Sequence, residues 1–295
     1  MALLYMTSLS LNRSSFSVSE QELKQLTDSA RTTSWKEALS RAYEMDQPAV
    51  YQSAAAACLT SWMPLLPIQP DGVVLSFDAS LGATTEGLAH NYSRVVHMNL
   101  GLTHLAFSRT RLYQEGLPNV EYLLGDPLKL PIRDDGVAAV VGIHLFPQLG
   151  HCTKGTSFSL KQMEQTLCKE LSRVLRPGGT ALLGIMNKPS PWLPREVQTV
   201  GSKATHRYYS RLFQEAGFGT AAFHCVLPDL ASPRTLLPVG DRSTQRSLLG
   251  ERFSGVKTFK ERVLLGAATV ATHLGLLSGL SNSYLILAKK RPSRG

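Results

Sequence analysis

The chain has 295 residues, enough for one large α/β domain with an appendage or for two small domains. Hydrophobic residues at 43% against charged residues at 18% exclude wholesale disorder and leave room for a sizeable core. Lys plus Arg number 31 against 22 Asp plus Glu, and the resulting formal charge of +9 favours acidic partners: nucleic acid, anionic lipid headgroups, or phosphorylated and sugar-nucleotide substrates. The 4 cysteines, Cys58, Cys152, Cys168 and Cys225, include no Cys-x-x-Cys pair. Their scatter argues against a zinc ribbon or a disulfide scaffold and fits a reducing, cytoplasmic setting.

Residues 1–18 read as a mobile tail; Met1 to Met6 is apolar but has no basic flank and is too short for a secretory core. Ser19-Glu20-Gln21-Glu22 matches a Ser-x-x-Glu capping box and starts a helix running to about Ala30. A second helix begins near Ser34 with Trp35, Ala38, Leu39 and Ala42 on one face, and residues 48–63 predict a third. Together, residues 1–70 form an N-terminal tail and helical cap. The pattern then changes to short apolar runs alternating with helical ones, which predicts a doubly wound, mostly parallel sheet. The strands are expected at 73–77, 94–99, 120–124, 137–143, 180–186, 219–226 and 283–288, with helices at 84–90, 103–115, 159–175 and 208–216 between them. Pro177-Gly178-Gly179 stops the long helix before the fifth strand. Residues 71–226 are thus the core, 227–282 an insertion and 283–295 the last strand with a basic tail.

The insertion is far longer than an ordinary connection, and a lid over a site is the favoured reading. Between Leu227 and Arg262 it carries Arg234, Arg242, Arg246, Arg252, Lys257, Lys260 and Arg262 against Asp229, Asp241, Glu251 and Glu261. The apolar stretch from Val263 to Leu280 is broken by Gly266, Gly275 and Gly279, and reads as a buried or interfacial helix rather than a membrane span. Contact with a membrane surface through 257–280 would follow from that pattern. No aromatic-basic interleaving supports nucleic acid.

In order and spacing, several segments resemble the class I S-adenosylmethionine-dependent methyltransferases, from about residue 60 to 290. These are Trp62-Met63-Pro64-Leu65-Leu66-Pro67, the first strand with its glycine loop, Gly125-Asp126-Pro127-Leu128-Lys129-Leu130-Pro131-Ile132, Leu175-Arg176-Pro177-Gly178-Gly179-Thr180, and Leu212-Phe213-Gln214-Glu215-Ala216-Gly217-Phe218. The resemblance implies a Rossmann-like seven-stranded sheet, with S-adenosylmethionine at the carboxyl ends of its strands. Ser76, Asp78, Ser80 and Gly82 then occupy the positions of the family's acidic-x-Gly-x-Gly-x-Gly loop, Asn99 that of the ribose-binding acid, and Asp126 that of the adenine contact. Only Gly82 keeps the family residue in the loop, so the motif is degenerate.

His144 and His151 flank the loop after the fourth strand, where a neutral imidazole could take a proton from a hydroxyl or amine acceptor. Asn187, just beyond the fifth strand, could orient a substrate, and His206-Arg207-Tyr208-Tyr209 resembles a family stretch near the substrate entrance. Two functions are carried forward. One is a transferase, in the cytoplasm or at a membrane surface, that methylates a small molecule, a saccharide or a lipid-linked acceptor. The other is a methyltransferase-fold protein that has lost the cofactor and works as a non-catalytic scaffold for a protein partner. A third, an altered pocket with a different ligand, ranks behind both.

Overall fold

The structure is a computed structural model that describes residues 20–44, 62–66, 72–77, 81–143, 145–146, 149, 159–186, 206–227, 235–241, 243–245, 247, 266, 270 and 283–292. Its sheet has eight strands: β1 (Val73–Phe77), β2 (Arg94–Asn99), β3 (Val120–Leu124), β4 (Val137–Gly142), β5 (Leu175–Met186), β6 (Phe218–Leu227), β7 (Thr235–Pro238) and β8 (Ser283–Lys290). They lie in the order β3-β2-β1-β4-β5-β8-β6-β7. β1 to β5 are mutually parallel, while β8 runs antiparallel between β5 and β6. Every residue of β4 is buried, as an all-apolar strand between two parallel neighbours must be. The edge strand β3 shows partial exposure instead.

The expected seven strands are present and an eighth joins them. β7 comes from the predicted insertion and pairs antiparallel with the end of β6, Cys225 opposite Leu237. Leu237 is fully buried there, which is why a four-residue piece of the insertion becomes part of the sheet. β5 also differs from expectation. It begins at Leu175, directly after the helix, and the register jumps from Val137↔Leu175 to Ala139↔Thr180. Pro177-Gly178-Gly179 therefore forms an irregularity inside the strand rather than a linker ahead of it, since Pro supplies no ladder donor there. Of the rest of the predicted lid, Leu227, residues 239–241, 243–245 and 247, Gly266 and Val270 are described, and the remainder, including nearly all of the apolar stretch 263–280, lies outside the described residues. So do the tail and most of the third cap helix, which is described only from Trp62 into a short 3-10 turn at Met63–Leu65. Among the described residues, no helix is long and apolar enough to cross a membrane.

Helices cover both faces. α3 (Ala83–Ala89) and α4 (Leu102–Gln114) contribute Leu88 and Leu112 to one apolar cluster, which also holds Trp62, Val74, Val95 and Val141. α5 (Leu160–Val174) and α6 (His206–Glu215) contribute Leu167, Leu171, Leu212 and Phe213 to the cluster on the other face. α5 starts with a complete capping box: Ser159 accepts from the Gln162 amide while Gln162 reaches back to the Ser159 amide. Arg173 then ties the helix to the β3–β4 connection. It pairs with Glu170 and Asp134 and donates to the carbonyls of Leu130 and Ile132. Cys168 and Cys225 are buried and in no disulfide, and burial pushes the Cys168 thiol well above its ordinary value, with Glu164 adding to the shift. In the folded chain both should resist iodoacetamide in mildly alkaline buffer and become reactive only on unfolding, as read by peptide mass spectrometry.

The cap is a hairpin of α1 (Glu20–Thr32) and α2 (Trp35–Glu44). Ser34 caps α2 by accepting from the Glu37 amide at 3.1 Å. Leu23, Leu26, Ala30, Trp35, Ala38 and Leu39 pack on Phe107 of α4 and on Leu81, in the turn before α3. Leu81 adopts φ 54°, a left-handed conformation that costs a non-glycine residue roughly 1–2 kcal/mol. Its side chain is 1% exposed, and burying a leucine returns roughly 1.5–3 kcal/mol. The cap cluster therefore offsets the strain in this turn.

Candidate cofactor cleft

In the chain order, β1 leads outward to β2 and β3, whereas β4 and β5 lie on the other side of β1. The switch point therefore falls between β1 and β4, where ligands bind beyond the carboxyl ends of the strands. A cleft with about 250 Å³ of open space lies there, lined by Phe77, Met98, Asn99, Leu100, Gly125, Pro127 and Leu145. These residues come from the end of β1, the end of β2, and the segments after β3 and β4. The walls are apolar, with a single amide, Asn99, at one side.

Backbone packing keeps the cleft open. A Cβ on Gly125 would sit 2.9 Å from the terminal methyl of Met98, whose side chain forms part of the lining. The Gly125 amide donates to the Asn99 carbonyl at 3.3 Å and so joins the ends of β2 and β3.

Each residue expected from the sequence has a definite place or falls outside the described set. Asn99 lines the cleft, and its Oδ1 accepts from the Gly101 amide at 2.9 Å. That bond fixes the side chain and takes up part of its accepting capacity. Asp126 is exposed between the two lining residues Gly125 and Pro127, and its Oδ1 accepts from the Leu128 amide at 2.8 Å. Gly82 has φ +93° and immediately precedes α3, a conformation that favours glycine. Ser76 is fully buried. Its hydroxyl lies 3.0 Å from that of Thr85, which in turn lies 2.7 Å from His97 Nδ1. Its polar group thus faces α3 and β2 in a buried polar row and is not among the cleft lining. Asp78, Ser80, His144, His151 and Asn187 lie outside the described residues.

The entrance stretch is partly core. Tyr209 is buried, and both Tyr208 and Tyr209 donate to the Glu164 carboxylate, at 2.8 and 2.9 Å. Burial, followed by the bond to Glu164, raises the Tyr208 phenol above its ordinary value. Phe146 packs edge-on against Tyr209 at 5.4 Å, which places this cluster behind the cleft-lining Leu145. Among the described residues, no group of His, Cys, Asp and Glu could hold a metal ion.

The positions marked by motifs are mostly polar, whereas the walls of the cleft are apolar. Phe77, Leu100, Pro127 and Leu145 stand next to the strand ends already identified, so their adjacency to those ends was the available signal.

Residues 77–183 match the model of a family described as a methyltransferase domain. A search of curated proteins gives no match. Among solved structures, a Haemonchus contortus phosphoethanolamine N-methyltransferase 2, in complex with phosphomonomethylethanolamine and S-adenosylhomocysteine, is similar with a TM-score of 0.50 and 14% identity, over 80% of this chain and 53% of that one. A complex of the Haloferax volcanii Trm112 methyltransferase activator with a methyltransferase is similar with a TM-score of 0.50 and 15% identity, over 81% of this chain and 89% of that one. At such identities the likeness is one of fold. Residues 77–183 thus match a methyltransferase domain, and the strand order around them is that of a Rossmann-like methyltransferase fold.

Proposed function

We propose that the chain binds S-adenosylmethionine in this cleft and methylates a small-molecule, saccharide or lipid-linked acceptor. The observation that carries the reading is the convergence of seven lining residues from four strand ends at the switch point of a methyltransferase domain. When bound, S-adenosylmethionine supplies an electrophilic methyl group on a sulfonium. Leu100, Pro127, Phe77 and Leu145 would enclose the adenine, Asn99 would bond the ribose, and Asp126 stands at the adenine edge. The turn at Leu81–Gly82 would border the amino-acid end. Beyond that, the protein's work is alignment and exclusion of water, with His144 or His151 as a base for an acceptor that must lose a proton. The basic insertion, 227–282, would act as a lid and bring an acidic or membrane-associated acceptor to the site, with the protein in the cytoplasm or at a membrane surface.

Photolabelling with S-adenosylmethionine tests the site. Label should map to peptides covering 94–109 and 121–129 and disappear with excess S-adenosylhomocysteine. Label elsewhere, or label that is not competed, would contradict the assignment. Asn99 gives a graded test, because an amide lacks the charge assistance of a carboxylate. Asn99→Asp should tighten S-adenosylhomocysteine binding by about tenfold, the equivalent of roughly 1.4 kcal/mol.

A second reading is favoured by a different observation. The polar groups at three expected cofactor positions make bonds within the chain: Ser76 to Thr85, Asn99 to Gly101 and Asp126 to Leu128. A methyltransferase-fold scaffold without cofactor would have that property. It predicts no S-adenosylhomocysteine binding by the native chain and measurable binding after glycines are placed at 78 and 80 together with Asn99→Asp.

A further inference from the structure

The turn between β1 and α3 is held from behind by the N-terminal hairpin. Arg111 of α4 is 4% exposed and lies beneath this turn. Its Nε donates to Glu86 Oε2 at 2.8 Å, and its Nη1 reaches the Leu81 carbonyl at 3.5 Å. The guanidinium carbon stands 3.9 Å from the centre of the Trp35 ring. A Cβ on Gly82 would be 3.4 Å from Arg111 Cδ, so the arginine is in van der Waals reach of the turn backbone as well.

Trp35 is itself fixed. Its indole Nε1 donates to Glu115 at 2.6 Å, and its backbone amide donates to Gln114 Oε1 at 2.8 Å. Gln114 Nε2 donates in turn to the Ala30 carbonyl at 2.7 Å. A continuous set of contacts therefore runs from the α1–α2 hairpin through Trp35 and Arg111 to Leu81, Gly82 and Glu86. The Arg111–Glu86 ion pair is part-buried, and such a pair adds little net stability over an apolar pair of the same shape. The family pattern relies on glycines where this chain has Asp78 and Ser80, and the next two residues, Leu81 and Gly82, are the ones gripped.

We propose that Arg111, backed by Trp35, is a positioning residue that sets the Leu81–Gly82 turn against the amino-acid end of the cofactor, so that tertiary packing does what loop glycines do elsewhere. The proposal rests on the cofactor reading above. It predicts a split between ligands. S-adenosylhomocysteine carries the amino-acid end, whereas methylthioadenosine fills only the adenosine part of the cleft.

The test is a calorimetric titration of the full chain and its Arg111→Met, Arg111→Lys and Trp35→Phe variants with both ligands, together with hydrogen exchange on the ligand-free proteins. Arg111→Met should weaken S-adenosylhomocysteine by about tenfold and methylthioadenosine by less than about twofold. Arg111→Lys, which can keep the pair with Glu86, should recover part of the loss. The Glu86 amide, which donates to the Gly82 carbonyl at 2.8 Å, should exchange faster in Arg111→Met. If Arg111→Met does not fold, Trp35→Phe should show the same ligand split at smaller size. Equal loss of both ligands, or undiminished S-adenosylhomocysteine affinity, overturns the positioning role while leaving the cofactor site in place. Failure of the native chain to bind either ligand overturns the cofactor reading itself, and this proposal with it.

Discussion

Replacing Glu164 with alanine should lower the thermal midpoint by about 5–10 °C, corresponding to a loss of about 3 kcal/mol in a chain of this size. Glu164 is 2% exposed and accepts from both Tyr208 and Tyr209. Truncation leaves two phenols without their acceptor and opens a void between α5 and α6. An unsatisfied buried polar group costs roughly 1–3 kcal/mol, and the void adds to it. Tyr208→Phe removes one bond from a half-buried group and should cost about 1 kcal/mol. Thermal unfolding followed by circular dichroism measures both. A Glu164→Ala midpoint within a degree of the native value would show that the cluster does not hold α6 against α5.

Gly125→Val should weaken S-adenosylhomocysteine binding by at least about tenfold. The new side chain would collide with Met98, already 2.9 Å from the position of a Cβ, and drive the methionine into the cleft it lines. Overpacking of this kind also costs roughly 1–3 kcal/mol of stability, so the binding measurement belongs well below the variant's unfolding temperature. Leu100→Ala is the companion. Leu100 is 47% exposed, so its truncation should leave stability nearly unchanged while removing one apolar wall. A titration in which Gly125→Val binds as the native chain does would place the ligand somewhere other than this cleft.

Much of the fold is legible in the sequence because its central strands are apolar runs bounded by turn residues. β1, β2 and β3 fall at their expected positions, and the helices between them shift by about one residue. β7 is not legible. Thr-Leu-Leu-Pro is too short to show a period, and what makes it a strand is its register with β6 and the burial of Leu237. The start of β5 is obscured for a related reason: Pro177 and two glycines read as a breaker, yet the ladder with β4 resumes around them.

The site divides in the same way. Gly82, Asn99 and Asp126 are recognisable because they stand at strand ends in a familiar order. Arg111 and Glu164 belong to no motif in the sequence, and both are buried. Their partners are Trp35, Leu81, Tyr208 and Tyr209, residues brought together only by the tertiary fold.

Isothermal titration of the full native chain with S-adenosylhomocysteine tests the central claim most directly. The account predicts saturable binding that Gly125→Val weakens and Asn99→Asp strengthens. No binding at millimolar ligand would contradict it and leave the cleft as a relic of the fold.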